Sequence, residues 1–184
     1  MDIDPELRAH MEHVAALAAL TARRLGLPDA HVGEVVRAAE LHDIGKVAVP
    51  AGVLHRPAPL DAAAWALMRR HTVVGEHMLR RRPALASVAR LVRASHERWD
   101  GGGYPDGLAG EAIPIGARIV AVCDAYDAMV SDRIYRPGME PEAAHAELRR
   151  CAGTQFDPAV VEAFTAAVAP AEPAPAARVR VAGA

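Results

Sequence analysis

Proline and glycine punctuate this chain so regularly that little besides helix fits between them. The 184 residues contain 14 of each, and the stretches they bracket carry apolar side chains at helical spacing. Asp4-Pro5-Glu6 supplies a capping acid, a proline at the first helical position and a carboxylate in the first turn. Val14, Leu17 and Leu25 keep the period until Gly26, with Pro28 just beyond. A second helix is predicted over 29–42, with Val32, Val35, Val36 and Ala39 on one face and Gly45 closing it. Residues 50–59, with Pro50, Gly52, Pro57 and Pro59, read as a loop. Asp61 then caps a third helix through Trp65, Met68, Val74 and Met78. Pro83 starts a fourth, through Leu85, Val88 and Val92 to about His96, and 100–107 form an irregular loop. Pro114 precedes a fifth helix reaching about Val130, and Pro141 and Asp157-Pro158 begin two more.

Composition agrees with that pattern. Only seven residues are aromatic (two Trp, three Tyr, two Phe), so the core must come from Ala, Leu, Val and Ile, a mixture that favours helix over sheet. No alternating strands and no solenoid repeat are present. The expectation is one all-α domain over 1–168. An Ala/Pro-rich tail follows over 169–184, and its composition reads as disordered.

Charge and cysteine content bound the function. A formal net charge of −2 argues against a partner that is a nucleic-acid polymer gripped by a basic surface. Cys123 and Cys151 form no CxxC pair, which suits a reducing compartment. The acidic N-terminus has no signal-peptide apolar region. The longest apolar stretch, near Val14–Leu20, is short of the ~18 residues that suggest a membrane span. The expected location is cytoplasmic, away from any membrane, with regulation acting from outside a chain of this length.

Chemistry gathers at ionisable residues on helix faces that turn inward. Glu6, His10 and Val14 follow one another at intervals of four, so they share a face. His42 lies seven after Val35 and is followed by Asp43; His71 lies three after Met68 and three before Val74. His96 lies four after Val92, and Asp124 lies four after Val120 and three before Asp127. Buried ionisable groups from separate helices need a shared partner, because an isolated buried charge is costly. A metal cluster meets that need. Imidazole nitrogens and bridging carboxylates, without thiolate, suit Fe, Mn, Zn, Co or Ni over a purely structural zinc site, and helical bundles commonly build such sites. Taken singly, a buried histidine is more often an ordinary hydrogen-bonded core residue than a ligand. His13, His31, His55, His77 and His145 are assigned to that ordinary role. Lys46 beside the cluster suits a phosphate oxygen, as does the basic pair Arg133 and Arg136. Phosphate-loop, GxSxG and Cys/His nucleophile arrangements are absent.

These segments resemble a known family. Residues 38–46, Ala-Ala-Glu-Leu-His-Asp-Ile-Gly-Lys, resemble the HD motif of HD-domain phosphohydrolases. Residues 96–107, His-Glu-Arg-Trp-Asp-Gly-Gly-Gly-Tyr-Pro-Asp-Gly, are similar to the GYP segment of the HD-GYP subfamily, and 122–128 and 153–158 to its later motifs. The resemblance spans about residues 6–168 in the right order. It implies a helical HD-domain bundle with a metal site between helices, and hydrolysis of cyclic di-GMP to linear pGpG or GMP. It implies His10, His42, Asp43, His71, His96 and Asp124 as ligands of two divalent metals, with Asp43 shared between them and Glu6 as the extra ligand of three-metal members. It further implies phosphate contacts from Lys46, Arg133 and Arg136, proton handling by Asp127, and a substrate loop at Gly103, Tyr104 and Pro105. One position departs: the family's paired histidines before Glu97 are here Ser95-His96. Two rival readings stay open, the first of them because of that departure. One is a weak or inactive module that binds the dinucleotide or docks on a signalling protein such as a diguanylate cyclase. The other is an HD phosphohydrolase acting on a different nucleotide.

Overall fold

A computed structural model describes residues 5–132 and 137–168, with side-chain detail from Arg8 onward. The capping Asp4, the Glu6 side chain, Arg133, Arg136 and the 169–184 tail lie outside the described residues.

Each expected helix is present, with instructive changes at the ends. Helix α1 (Pro5–Arg24) starts on its proline, and α2 (Asp29–Leu41) stops one residue before His42. The His42-Asp43 pair leads directly into a 3₁₀ segment, Ile44–Ala48. Within the predicted loop at 50–59, four residues form the short α3 (Ala51–Leu54). Asp61 does cap α4 (Ala62–Arg69), accepting a 2.9 Å hydrogen bond from Ala64 N. That helix does not run on to Met78, however. It breaks at Arg70, and α5 (His71–Arg80) begins anew with His71 as its first residue. The Pro83 start is a short 3₁₀ turn, Pro83–Leu85, before α6 (Ala86–Arg93), so His96 lies in the turn beyond the helix. Helices α7 (Ile115–Val130), α8 (Pro141–Arg150) and α9 (Pro158–Val168) follow. Among the described residues there is no strand, only an isolated bridge between Ala152 and Phe156.

Small apolar residues let these helices approach closely. Helix α1 packs against α2, α7 and α9, while α2 also meets α6 and α7. The contacts are made by Val14, Ala18, Ala39, Ala89, Val92, Ile119, Val122 and Phe164, all fully buried. Burying each Val or Phe contributes roughly 1.5–3 kcal/mol relative to exposure. Arg118 ties the C-terminal helix to this core. It donates to Ile113 O at 2.7 Å and Asp157 Oδ2 at 2.7 Å, while Asp157 Oδ1 accepts from Ala159 N at the start of α9. The outcome is a bundle in which α1, the α2 end, the α5 start, the turn after α6 and the middle of α7 converge on one polar pocket.

Candidate metal centre

Close backbone approach builds the first half of the site. A Cβ on Gly45 would lie 1.9 Å from His71 O and 2.6 Å from Gly75 N. Only glycine lets the 3₁₀ segment after Asp43 press on α5, and that contact brings Asp43 Oδ1 to 3.6 Å from His71 Nε2. On the other side His42 Nε2 lies 3.6 Å from Asp43 Oδ2 and 3.7 Å from Asp124 Oδ1, and His10 Nε2 lies 3.5 Å from Asp124 Oδ1. The His71 and His96 ring centroids are 4.9 Å apart, and those of His10 and His42 are 5.7 Å apart.

Backbone carbonyls orient two of the rings. His42 Nδ1 donates to Ala39 O at 2.7 Å, and His71 Nδ1 donates to Met68 O at 2.8 Å. Because a carbonyl only accepts, both Nδ1 atoms carry the proton and both Nε2 lone pairs face the pocket, the usual second-contact arrangement of metal-ligating histidines. His10 Nδ1 meets Asp127 Oδ2 at 2.5 Å.

Electrostatics leave two of the rings, His71 and His96, and the Asp43 carboxylate in ligand-ready states. Burial lowers the His96 pKa to about 4 and also lowers that of His71, so both imidazoles are neutral at pH 7. Burial works against the Asp43 charge, but His42, Lys46 and His71 outweigh it and hold the pKa at about 2. The hydrogen bond with Asp127 raises the His10 pKa. Asp127 is itself pushed up by burial, yet hydrogen bonds with His10 and His13 keep it below the ordinary carboxylate range.

Among the described residues, Asp43 Oδ1, His71 Nε2 and His96 Nε2 are all buried and find no hydrogen-bond partner. Native proteins rarely leave such atoms unmatched, and three converging on one space call for a common partner. Two overlapping groups, His10-His42-Asp43 and Asp43-His71-His96, each bring their ligand atoms within 4.8 Å of one another. The nitrogen and oxygen donors suit divalent metal ions, so the residues present fit the expected metals.

The structure therefore brings His10, His42, Asp43, His71, His96 and Asp124 together, and Asp127 beside them. Lys46 Nζ reaches Asp43 Oδ2 at 2.6 Å. His31, His55 and His77 are exposed, and His145 is buried elsewhere against Tyr126 and Phe164. His13 is in neither ligand group, but it adds a contact the sequence reading did not draw: its Nδ1 meets Asp127 Oδ1. Its spacing of three from His10 on α1 was the signal that could have found it.

The 98–108 loop roofs the pocket. Glu97 is buried and accepts from Asp106 N at 2.7 Å and Leu108 N at 3.1 Å. Arg93 donates twice to the Asp106 carboxylate, at 2.7 Å each, and once to Glu76 at 2.8 Å. Gly103 is forced by contact, since a Cβ there would lie 2.3 Å from Arg98 N. So anchored, Tyr104 stacks on His96 with centroids 5.2 Å apart and an interplanar angle of 15°. Burial pushes its phenol pKa up to about 12. The peptide between Tyr104 and Pro105 is cis. Ser95 is buried, and its hydroxyl donates to Val92 O at 2.9 Å.

Comparison with known proteins gives these features a setting. Residues 2–160 match a family model described as HD domain. The chain is 45% identical over 160 residues to a cyclic di-GMP phosphodiesterase of Pseudomonas aeruginosa, covering 86% of this chain and 38% of that protein. It is 41% identical over 163 residues to a cyclic di-GMP phosphodiesterase of Thermotoga maritima, covering 88% and 44%. It is 40% identical over 159 residues to a 3'3'-cGAMP-specific phosphodiesterase of Vibrio cholerae, covering 85% and 30%. The chain thus spans less than half the length of these relatives. In fold it is similar to an HDG"Y"P protein from Bdellovibrio bacteriovorus, with a TM-score of 0.70 at 19% identity, covering 87% of this chain and 51% of that one. No helix among the described residues is long and apolar enough to cross a membrane.

Proposed function

The chain belongs to the HD-domain family, in its HD-GYP branch, and from that premise we propose that it is a metal-dependent phosphodiesterase hydrolysing cyclic di-GMP to linear pGpG or GMP. The observation that carries this reading is the position of Asp43. It belongs to both ligand groups, one with His10 and His42 and the other with His71 and His96. A carboxylate shared in that way is what a two-metal phosphodiester site needs. Asp124 completes the proposed set, with Glu6 as the ligand of a third ion and Fe or Mn as the preferred metals.

The chain's own groups have definable tasks in that reaction. Bound ions would lower the pKa of a water from about 15.7 toward about 7, as in the zinc case, and polarise the phosphodiester. His42 and His71 keep their Nε2 lone pairs aimed inward because Ala39 O and Met68 O hold their Nδ1 protons. The Lys46 ammonium is positioned at the carboxylate edge to neutralise a non-bridging phosphate oxygen, with Arg133 and Arg136 assigned the same task. Asp127 joins His10 to the half-exposed His13. A proton can move between the pocket and solvent along these atoms, and the leaving 3′-oxygen requires one. The loop at Gly103, Tyr104 and Pro105 covers the His96 side and limits water access there.

One observation favours a weaker variant of this reading. Ser95 occupies the place of a family imidazole, and its hydroxyl is committed to Val92 O. A centre with one ligand fewer would bind metal less tightly, which a dinucleotide-binding module tolerates better than an enzyme. Incubating the Mn- or Fe-loaded chain with cyclic di-GMP and separating the products separates the two. The account expects pGpG or GMP from the wild type and none from His42→Ala. Tight binding without turnover would support the sensor instead, and undiminished turnover by His42→Ala would refute the ligand assignment.

A further inference from the structure

Beside the metal-ligand cluster, a cavity of about 240 Å³ runs from His96 and Asp124 outward to Trp65 and Arg69 on α4. Small-molecule sites span roughly 300–1,000 Å³, so this space suits one part of a dinucleotide rather than all of it. Its outer wall has an unusual composition. Trp65 is 44% exposed although it is the largest side chain on α4. The Arg69 guanidinium carbon lies 5.7 Å from the Trp65 ring centroid and 5.3 Å from that of Tyr104. Tyr104 in turn stacks on His96, so aromatic and cationic groups form one continuous wall from the metal ligands to the surface.

Among the described residues, two other cations near this pocket are already engaged. Arg98 donates to both oxygens of Asp100, and Lys46 is paired with Asp43. Arg69 has no carboxylate partner among the described residues, and its guanidinium lies against the two rings. Rings that attract the face of a guanidinium leave its N–H edge for a ligand. That edge carries donors only. Guanine offers two adjacent acceptors, O6 and N7, which a guanidinium matches in bidentate fashion; adenine offers N7 beside an N6 donor, which repels it. An exposed indole beside such an edge is a stacking platform for a base.

We propose that Arg69 and Trp65 form a guanine-reading subsite in this cavity, with Arg69 binding O6 and N7 and Trp65 stacking on the ring. The proposal rests on the cyclic-dinucleotide reading and deepens it. It assigns the guanine-over-adenine choice to α4, which lies outside the HD and GYP segments. The position is also chemically distinct from the phosphate contacts given to Lys46.

Calorimetric titration of the Mn-loaded chain with GMP and with AMP tests this without turnover. Wild type is expected to bind GMP about 10- to 100-fold more tightly, the discrimination of one bidentate arginine–guanine pair. Arg69→Ala is expected to bring GMP down to the AMP level and leave AMP unchanged, and Arg69→Lys, which lacks the planar fork, to restore little. Both variants alter an exposed side chain and should melt with the wild type. Equal weakening of GMP and AMP would make Arg69 a phosphate contact and overturn the proposal. So would a GMP preference that survives in Arg69→Ala, or a wild type that does not discriminate. Cyclic di-GMP turnover by a wild type without GMP preference would sink the subsite and leave the phosphodiesterase standing. Preference without turnover would do the reverse.

Discussion

Glycine 45 shows how a single hydrogen atom in place of a methyl group assembles this pocket. Its backbone lies so close to His71 O that any side chain must push the 3₁₀ segment away from α5, and Asp43 would move with it. Gly45→Ala is therefore expected to cost upward of about 2 kcal/mol in stability and to reduce metal uptake. The control is Gly33→Ala on α2, where an added Cβ meets nothing within 4 Å. Alanine in an open helical position should be neutral or gain up to about 1 kcal/mol. Urea melts and metal analysis of the two variants give the comparison, and similar behaviour of the pair would contradict this account of the approach. The HD motif was plainly legible in the sequence, but the reason for the glycine two residues after it was not. Tertiary contact with an element 26 residues further on supplies that reason.

At the scale of elements, α8 docks on α7 and α9 through His145, which packs on Tyr126 and Phe164 with Nδ1 buried and unpartnered among the described residues. Burial lowers its pKa from 6.5, with Arg149 acting in the same direction and Glu142 opposing. Below pH 6.5 the unfolded chain therefore binds a proton that the folded helix resists, and stability falls with pH through this group. His145→Leu removes both the titration and the orphaned nitrogen. It is expected to be more stable by roughly 1 kcal/mol at pH 7.5, with the gap in melting temperature widening toward pH 5.5. Melting curves of the two proteins that stay parallel across that range would contradict it. The placing of whole helices was legible from capping and punctuation, as Asp61 and Pro158 illustrate. The break at Arg70 was not, because the apolar spacing from Trp65 through Val74 continues across it. The break starts a new helix at His71, whose Nδ1 then bonds back to Met68 O. Trp65 and Arg69 escaped notice for a related reason. Their significance depends on Tyr104 being carried to them by a loop anchored through Glu97 and Arg93.

Across the whole molecule, four separate stretches of chain deliver imidazoles to one carboxylate, and the bundle holds them there with small apolar contacts. Unmatched polar atoms at Asp43, His71 and His96 weaken the fold on their own. An ion that binds only the folded chain stabilises it by mass action. The spacing of histidines along apolar faces pointed to such a cluster in the sequence, although His42 and His96 sit just past the ends of the helices that set that spacing. How the ligands divide into two groups was not readable, since it depends on distances between helices. Asp43 is the residue on which both groups depend, so its substitution is the direct test. Metal content per chain and cyclic di-GMP hydrolysis should be measured on the same preparations of wild type and Asp43→Ala, each confirmed folded by circular dichroism. The account predicts two divalent ions and turnover in the wild type, with both lost together in the variant. A folded Asp43→Ala protein that keeps its metal and hydrolyses cyclic di-GMP at the wild-type rate would contradict it.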